Sequence, residues 1–172
     1  MPYLGMLLRP AEPADAIAVA RVHVRSWQTA YRTLLPDDYL DQLRPEDRAE
    51  KYDFASLDPL KPQTIVAAEE GLILGFATTA QSRDPDLPEH GELCALYVAP
   101  EQWGRGIGMA LVSAARASLF GLGFRNALLW VLAGNVRAER FYRINGWAPD
   151  GQRRTDSRRG VTVNEFRYQR QL

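Results

Sequence analysis

The sequence predicts a single α+β domain built on a mixed sheet of six or seven strands, with helices packed against it. Three observations predict it. Short β-type apolar runs bounded by Pro, Gly and acidic turns recur between residues 64 and 98 and again after residue 127. Segments with apolar residues at steps of three and four come before, between and after them. The length of 172 residues suits one domain. A chain of that size buries roughly 70% of the surface it exposes when unfolded.

Met6 to Arg9 reads as a first strand ended by Pro10, and Pro13 with Asp15 opens a helix. On that helix Ile17, Ala20, Val24, Trp27 and Tyr31 share an apolar face, and Arg21, Arg25, Gln28 and Arg32 lie off it. Pro36 and Pro45 punctuate the next stretch, leaving short helices near Asp37 to Leu43 and Glu46 to Phe54. Thr64 to Ala68 and Leu72 to Thr79 are strands of a hairpin closed by Glu69, Glu70 and Gly71. A polar loop, Gln81 to His90, precedes a strand at Leu93 to Val98 that Pro100 closes. Gly106 to Phe120 is helical, with Ile107, Leu111, Ala114 and Ser118 on the expected stripe and Gly121 and Gly123 past its end. Ala127 to Leu132 has the continuous apolar character of a strand covered on both faces. Asn135 opens a helix to about Ile144, Gly146 ends it, and strands near Trp147 to Arg154 and Val161 to Arg170 flank a polar turn. No repeat or linker divides residues 1–172, so one domain is expected.

Composition excludes some functions. Lys plus Arg equals Asp plus Glu at 21 each, which argues against nucleic-acid binding through a broad basic field. Of the 21 cations 19 are Arg, whose planar fork suits phosphate and carboxylate, so local anion sites remain open. The lone Cys94 precludes an intrachain disulfide and a multi-cysteine metal site, and an unstapled chain fits a reducing cytoplasm. The N-terminal stretch reads as neither signal peptide nor anchor. The longest apolar run, Ala127 to Ala133, is far short of the ~18 residues of a membrane span. The expectation is a cytoplasmic protein without metal, membrane or nucleic-acid partner.

Chemistry concentrates in Leu96 to Leu111, LYVAPEQWGRGIGMAL: a strand, a Pro-marked bend, a Gly-rich loop and a helix start. Gly104, Gly106 and Gly108 let backbone approach a ligand, the first-turn N–H groups point at an anion, and Arg105 adds a cation. A tight turn whose glycines serve only packing is the plainer alternative. A P-loop is excluded because no Gly-Lys pair exists, and a dinucleotide fingerprint fails at Met109, where its third Gly is required.

Trp103-Gly104-Arg105-Gly106-Ile107-Gly108 resembles the [QR]-x-x-G-x-[GA] motif of the GNAT superfamily, acyltransferases that move an acetyl group from acetyl-CoA to an amine; Trp103 stands where Gln or Arg is usual. A second segment, Asn135-Val-Arg-Ala138-Glu-Arg-Phe141-Tyr142 followed by Asn145-Gly146-Trp147, is similar to the superfamily's N-x-x-A-x-x-F-Y-x-x-x-G-[FW]. The stretch from His23 to Pro36 also looks like a subgroup of it, so the resemblance covers nearly the whole chain. It implies a sheet splayed between its fourth and fifth strands, with the pantetheine arm of acetyl-CoA in the gap. The residues it assigns to acetyl-CoA are Leu96, Tyr97, Val98, Trp103, Gly104, Arg105, Gly106, Ile107, Gly108, Met109, Asn135, Ala138 and Phe141. The Leu96 N–H is expected to polarise the thioester carbonyl.

Asn135, Ala138 and Tyr142 are three and four residues apart and share one helix face. Tyr142 brings a phenol of ordinary pKa about 10 and is the expected proton donor to the leaving thiolate. Alternatively Tyr142 is a core aromatic and Asn135 an N-cap. Glu92 is the candidate base, on the assumption that strand alternation puts it on the face of Leu96 unless a bulge intervenes; His90 is the second candidate. Cys94 is expected to be a small buried residue rather than a nucleophile. Arg137, Arg140 and Arg143 are possible contacts for a nucleotide phosphate, and Arg153, Arg154, Arg158 and Arg159 cluster near the last turn. Three functions follow: an N-acetyltransferase acting on a small amine or a peptide N-terminus, a non-catalytic acyl-CoA-binding or sensory module of the same superfamily, or a nucleotide-binding module unrelated to CoA. A homodimer is expected by analogy.

Overall fold

The computed structural model describes residues 5–158 and 160–172. The apolar runs become seven strands: β1 (Met6–Pro10), β2 (Gln63–Glu69), β3 (Leu72–Gln81), β4 (Gly91–Val98), β5 (Asn126–Leu132), β6 (Ala148–Arg158) and β7 (Val161–Gln171). They form one sheet in the order β1-β2-β3-β4-β5-β7-β6. The helices are α1 (Ala16–Ala30), α2 (Asp37–Asp41), α3 (Pro45–Ala49), α4 (Ile107–Gly121) and α5 (Val136–Ile144). α2 and α3 are shorter than the sequence suggested. In the β2–β3 hairpin, Glu70 and Gly71 take positive φ values of 49° and 79°, as a two-residue primed turn requires.

One side of the sheet carries α4, which buries Ile107, Leu111, Val112, Ala115 and Leu119. Ala114 and Ser118, expected on that stripe, are half-buried flanks. Small and apolar residues surround α4 so fully that sequence periodicity fixed its buried face only to within one position. α1 lies on the other side, where Val19 and Val22 pack with Val66 and Phe76.

Every neighbouring pair is antiparallel except β4–β5, which is parallel and in register only at Gly91↔Ala127 and Glu92↔Leu128. Beyond Glu92 the strands part, so the expected splay is present. A bulge lies just past that point: Thr79 faces Leu93 and Thr78 faces Ala95, leaving Cys94 as the extra residue. A bulge bends its strand and sharpens the local twist. It also resets side-chain alternation. Leu93, Leu96 and Val98 join the core beneath α4, whereas Ala95 and Tyr97 join the α1 side. Glu92 therefore faces α1, opposite Leu96, which corrects the shared face expected from simple alternation.

Candidate functional site

The end of β4 and the start of α4 build a cradle from backbone. The Ala99 N–H donates to the Leu74 carbonyl at 2.8 Å, so the Tyr97 main-chain groups and the Ala99 N–H are spent on β3, while the Ala99 carbonyl accepts the Gln102 N–H at 2.8 Å. By antiparallel alternation Leu96 and Val98 direct theirs into the gap. Accordingly, the Val98 carbonyl accepts the Trp103 indole N–H at 2.8 Å and the Ser26 hydroxyl at 3.1 Å. Gly104 and Gly106 both have φ of +79°, and a Cβ added at either would meet nothing within 4 Å. The glycines thus serve conformation and leave the loop's outer face open. Gly106 is the N-cap of α4, whose first-turn N–H groups have no intrahelical acceptor.

α5 crosses this cradle. Gly108 faces Phe141, which lies 3.5 Å from where its Cβ would be, so α4 and α5 approach closely. The Asn135 side chain accepts the Ala138 N–H at 3.2 Å, so its amide oxygen caps α5. Asn135, Ala138, Phe141 and Tyr142 line a cavity of about 660 Å³ together with Leu96, Tyr97, Val98, Trp103, Gly104, Gly106, Ile107, Gly108 and Met109. Arg105 is the predicted ligand residue that the cavity leaves aside; its guanidinium bonds Gln102 and pairs with Glu69. A different cation reaches the cavity. Arg137 lies over the Trp103 ring, its guanidinium carbon 3.6 Å from the centroid, and both residues line the wall.

Tyr142 packs edge-on against Phe141 and Trp147 at 5.3 and 6.3 Å. Burial, with Tyr97 nearby, pushes its phenol far above the ordinary range, so the hydroxyl holds its proton. Cys94 is likewise pushed up by burial to about 12, with Glu92 adding to the rise, and it remains a thiol. That argues against nucleophilic use.

A second cavity, about 760 Å³, lies on the α1 face of the sheet. Tyr31, Leu93, Cys94, Ala95, Tyr97 and Trp130 border both cavities, so the two meet at the bulge. Glu92 lines this second space and is only 2% exposed. It accepts the Arg83 main-chain N–H at 3.2 Å and the Arg83 guanidinium at 3.0 Å. His90 lines neither cavity; its Nε2 meets Gln169 Oε1 at 2.9 Å. Trp27 and Tyr31, in ring contact at 5.0 Å, form part of the wall. Sequence reading did not single out Arg83, Trp130 or Glu165, which also line it, because nothing local marks them; sheet order brings them together. From the arginine cluster, Arg154 reaches the cavity, pairs with Glu165 at 2.9 Å and lies 4.3 Å over Trp130. Arg153 instead covers Phe166. Arg159 and the Arg158 side chain lie outside the described residues. No helix is long and apolar enough to cross a membrane among the described residues.

A model of the acetyltransferase (GNAT) family matches residues 24–147. An uncharacterised N-acetyltransferase of Bacillus subtilis (strain 168), YuaI, is 33% identical over 128 residues, covering 74% of this chain and 72% of that one. PaiA N-acetyltransferase from Thermoplasma acidophilum, solved in complex with coenzyme A, superposes with a TM-score of 0.77 at 19% identity, covering 98% of this chain and 100% of that one. A GCN5-related N-acetyltransferase from Rhodopseudomonas palustris gives 0.78 at 22% identity, covering 100% and 99%. With the splayed β4–β5 pair and the glycine cradle in place, these matches make the chain a member of the acetyltransferase (GNAT) family, with acetyl transfer as its reaction.

Proposed function

We propose that the chain transfers an acetyl group from acetyl-CoA to an acceptor amine by direct attack of the amine on the thioester. The observation that carries this reading is the gap between β4 and β5, which presents the main-chain groups of Leu96 and the Val98 N–H beside the N-terminus of a glycine-started helix. These groups fit the two chemistries of a coenzyme A chain. An amide-bearing arm pairs with a free strand edge, and a pyrophosphate suits clustered N–H donors at Gly106, Ile107, Gly108 and Met109. Arg137, held on the Trp103 face, adds a cation at the same wall.

When bound, acetyl-CoA supplies an activated acetyl thioester. Each remaining role belongs to a residue of the chain. The Leu96 N–H donates toward the thioester carbonyl oxygen and steadies charge that develops there. Glu92, in the second cavity next to the shared Leu93, takes a proton that the acceptor ammonium must lose, directly or through one water. The Tyr142 hydroxyl, kept protonated by burial, gives a proton to the sulfur as its bond to carbon breaks. The balance is one N–C bond formed and one C–S bond broken; of the two protons the ammonium nitrogen loses, one leaves through Glu92 to solvent and the other replaces the proton that Tyr142 gives to sulfur. A cytoplasmic location and a homodimer complete the reading, the first supported by a single unpaired cysteine.

Calorimetry with acetyl-CoA, CoA and ATP tests the assignment, with thiol release from acetyl-CoA followed over a panel of amines. Acetyl-CoA binding tighter than ATP, with amine-dependent thiol release, is expected. ATP binding better than acetyl-CoA overturns the reading.

A further inference from the structure

We propose that the acceptor is a small-molecule amine carrying a carboxylate or phosphate remote from its nitrogen, the nitrogen lying toward Glu92 and the anion on Arg48 and Lys51. The inference rests on the acetyl-transfer reading of the second cavity. Its first support is charge. Six cations and four carboxylates line that cavity. Arg83 with Glu92, Arg154 with Glu165 and Lys61 with Asp53 pair off at 3.0, 2.9 and 3.4 Å, and Arg44 leans on Glu46 outside the lining at 3.8 Å. What remains is Arg48 and Lys51 against Asp47 alone.

The second support is unmet bonding. Arg48 Nε is buried without a hydrogen-bond partner among the described residues, and the buried Tyr52 hydroxyl has the Arg48 guanidinium beside it. The guanidinium of Arg48 sits over the Tyr52 ring, its carbon 5.7 Å from the centroid. Buried donors of this kind are rarely left unsatisfied, and an oxyanion accepts from a guanidinium and a phenol together. Arg48 therefore offers a formed anion site at one end of a cavity whose size is typical of small-ligand sites.

The third support is separation. Tyr52 and Phe54 join the cluster of Val66, Phe76 and Ala99 that also takes in Tyr97, whereas Glu92 lies five residues before Tyr97 on β4. Along a strand that interval amounts to roughly 15 Å. An α-amino acid, whose nitrogen and carboxylate share one carbon, cannot span that distance. Trp27, Phe76 and Tyr97 also line the cavity and suit an apolar spacer.

The test uses the full chain with saturating acetyl-CoA. Glycine, ω-aminohexanoate, ω-aminooctanoate, ω-aminooctyl phosphate, octylamine, diaminooctane and a peptide with an acidic second residue are compared by kcat/KM. The ω-amino carboxylate or phosphate of eight carbons is expected to exceed octylamine, diaminooctane and glycine by about tenfold or more. Arg48→Glu should abolish that preference and favour diaminooctane while leaving the acetyl-CoA Kd unchanged. Lys51→Glu, on an exposed side chain, should move the preference in the same direction if Arg48→Glu does not fold. Calorimetry of ω-aminooctanoate without acetyl-CoA gives a readout independent of turnover, and the Arg48→Glu chain should lose that binding. Equal kcat/KM for octylamine and ω-aminooctanoate, a peptide better than every small amine, or unaltered ω-aminooctanoate binding in a folded Arg48→Glu chain overturns the proposal. Failure of wild type to bind acetyl-CoA instead overturns the acetyl-transfer reading itself, and calorimetry separates the two.

Discussion

On the proposed mechanism, the chemistry of the first cavity concentrates in the Tyr142 hydroxyl. Its ring is fixed edge-on between Phe141 and Trp147, so removing the oxygen leaves the packing in place. Tyr142→Phe should therefore lower kcat on the order of a hundredfold, the usual scale for a lost proton donor, with little change in acetyl-CoA affinity. Steady-state kinetics beside calorimetry checks this, and an undiminished kcat would remove the assigned role. That Tyr142 shares a cavity wall with Asn135 and Ala138 was legible in the sequence, because their helix spacing is local. Glu92 was legible as a residue but not as a geometry. The bulge at Cys94 reverses the face on which it stands, and a bulge leaves no mark in local hydrophobic alternation. Arg105 shows the same limit for charge. A cation within the glycine motif turns to Glu69, while Arg137 from another helix reaches the cavity.

At the scale of elements, the loop before α4 matters most. Gly106 has a left-handed φ of +79°, which an L-residue adopts at a cost of about 1–2 kcal/mol. Gly106→Ala should lower stability by about that amount, and because its new methyl projects into open space beside the first-turn N–H groups, it should also weaken acetyl-CoA binding. Gly121→Ala is the control. That glycine also has open space around it but no positive φ, so the change should be neutral or stabilise by up to ~1 kcal/mol and leave binding alone. Thermal melts and calorimetry on both variants separate conformational strain from ligand contact. The strands and longer helices were readable because apolar spacing and Pro or Gly punctuation are local signals. The one-position error in the buried stripe of α4 arises where small residues remove that contrast.

Across the whole molecule, the arginine surplus acquires a physical account. Arg137, Arg154 and Arg167 lie over tryptophan rings, Arg143 and Arg48 over tyrosines, and Arg125 and Arg153 over phenylalanines. A planar guanidinium stacks and forks in ways that a lysine ammonium cannot. Arg167, 5% exposed, ties the loop after β3 to β6 and β7 by pairing with Asp84, Asp86 and Asp150 at 3.1, 2.9 and 2.6 Å. Those hydrogen bonds, led by Asp86, hold Arg167 firmly charged. Burial alone would raise the pKa of Asp150, but bonds from Gln169, the Gln152 N–H and Arg167 bring it below the ordinary range. Arg167→Met leaves buried carboxylates unpaired and should lose about 3–5 kcal/mol at pH 7, measured by denaturant unfolding. The sign with pH follows from the lowered Asp150. Its contribution is present above the unfolded value near ~3.9 and disappears as pH falls through the folded value. The gap between wild type and variant should therefore narrow below about pH 4; a gap constant from pH 7 to pH 3 would place the lost stability elsewhere.

The sequence by itself determined the α+β class, the order of the elements, the glycine cradle and the helix face carrying Tyr142, because each rests on spacing within about a dozen residues. Only the tertiary structure decided which side of the sheet Glu92 faces, which arginine reaches the first cavity and what lines the second. Those outcomes depend on strand order and a bulge, which bring residues as far apart as Arg48, Glu92 and Glu165 around one space. Contacts of that sequence separation are set by the packing of the whole sheet, and no local pattern encodes them.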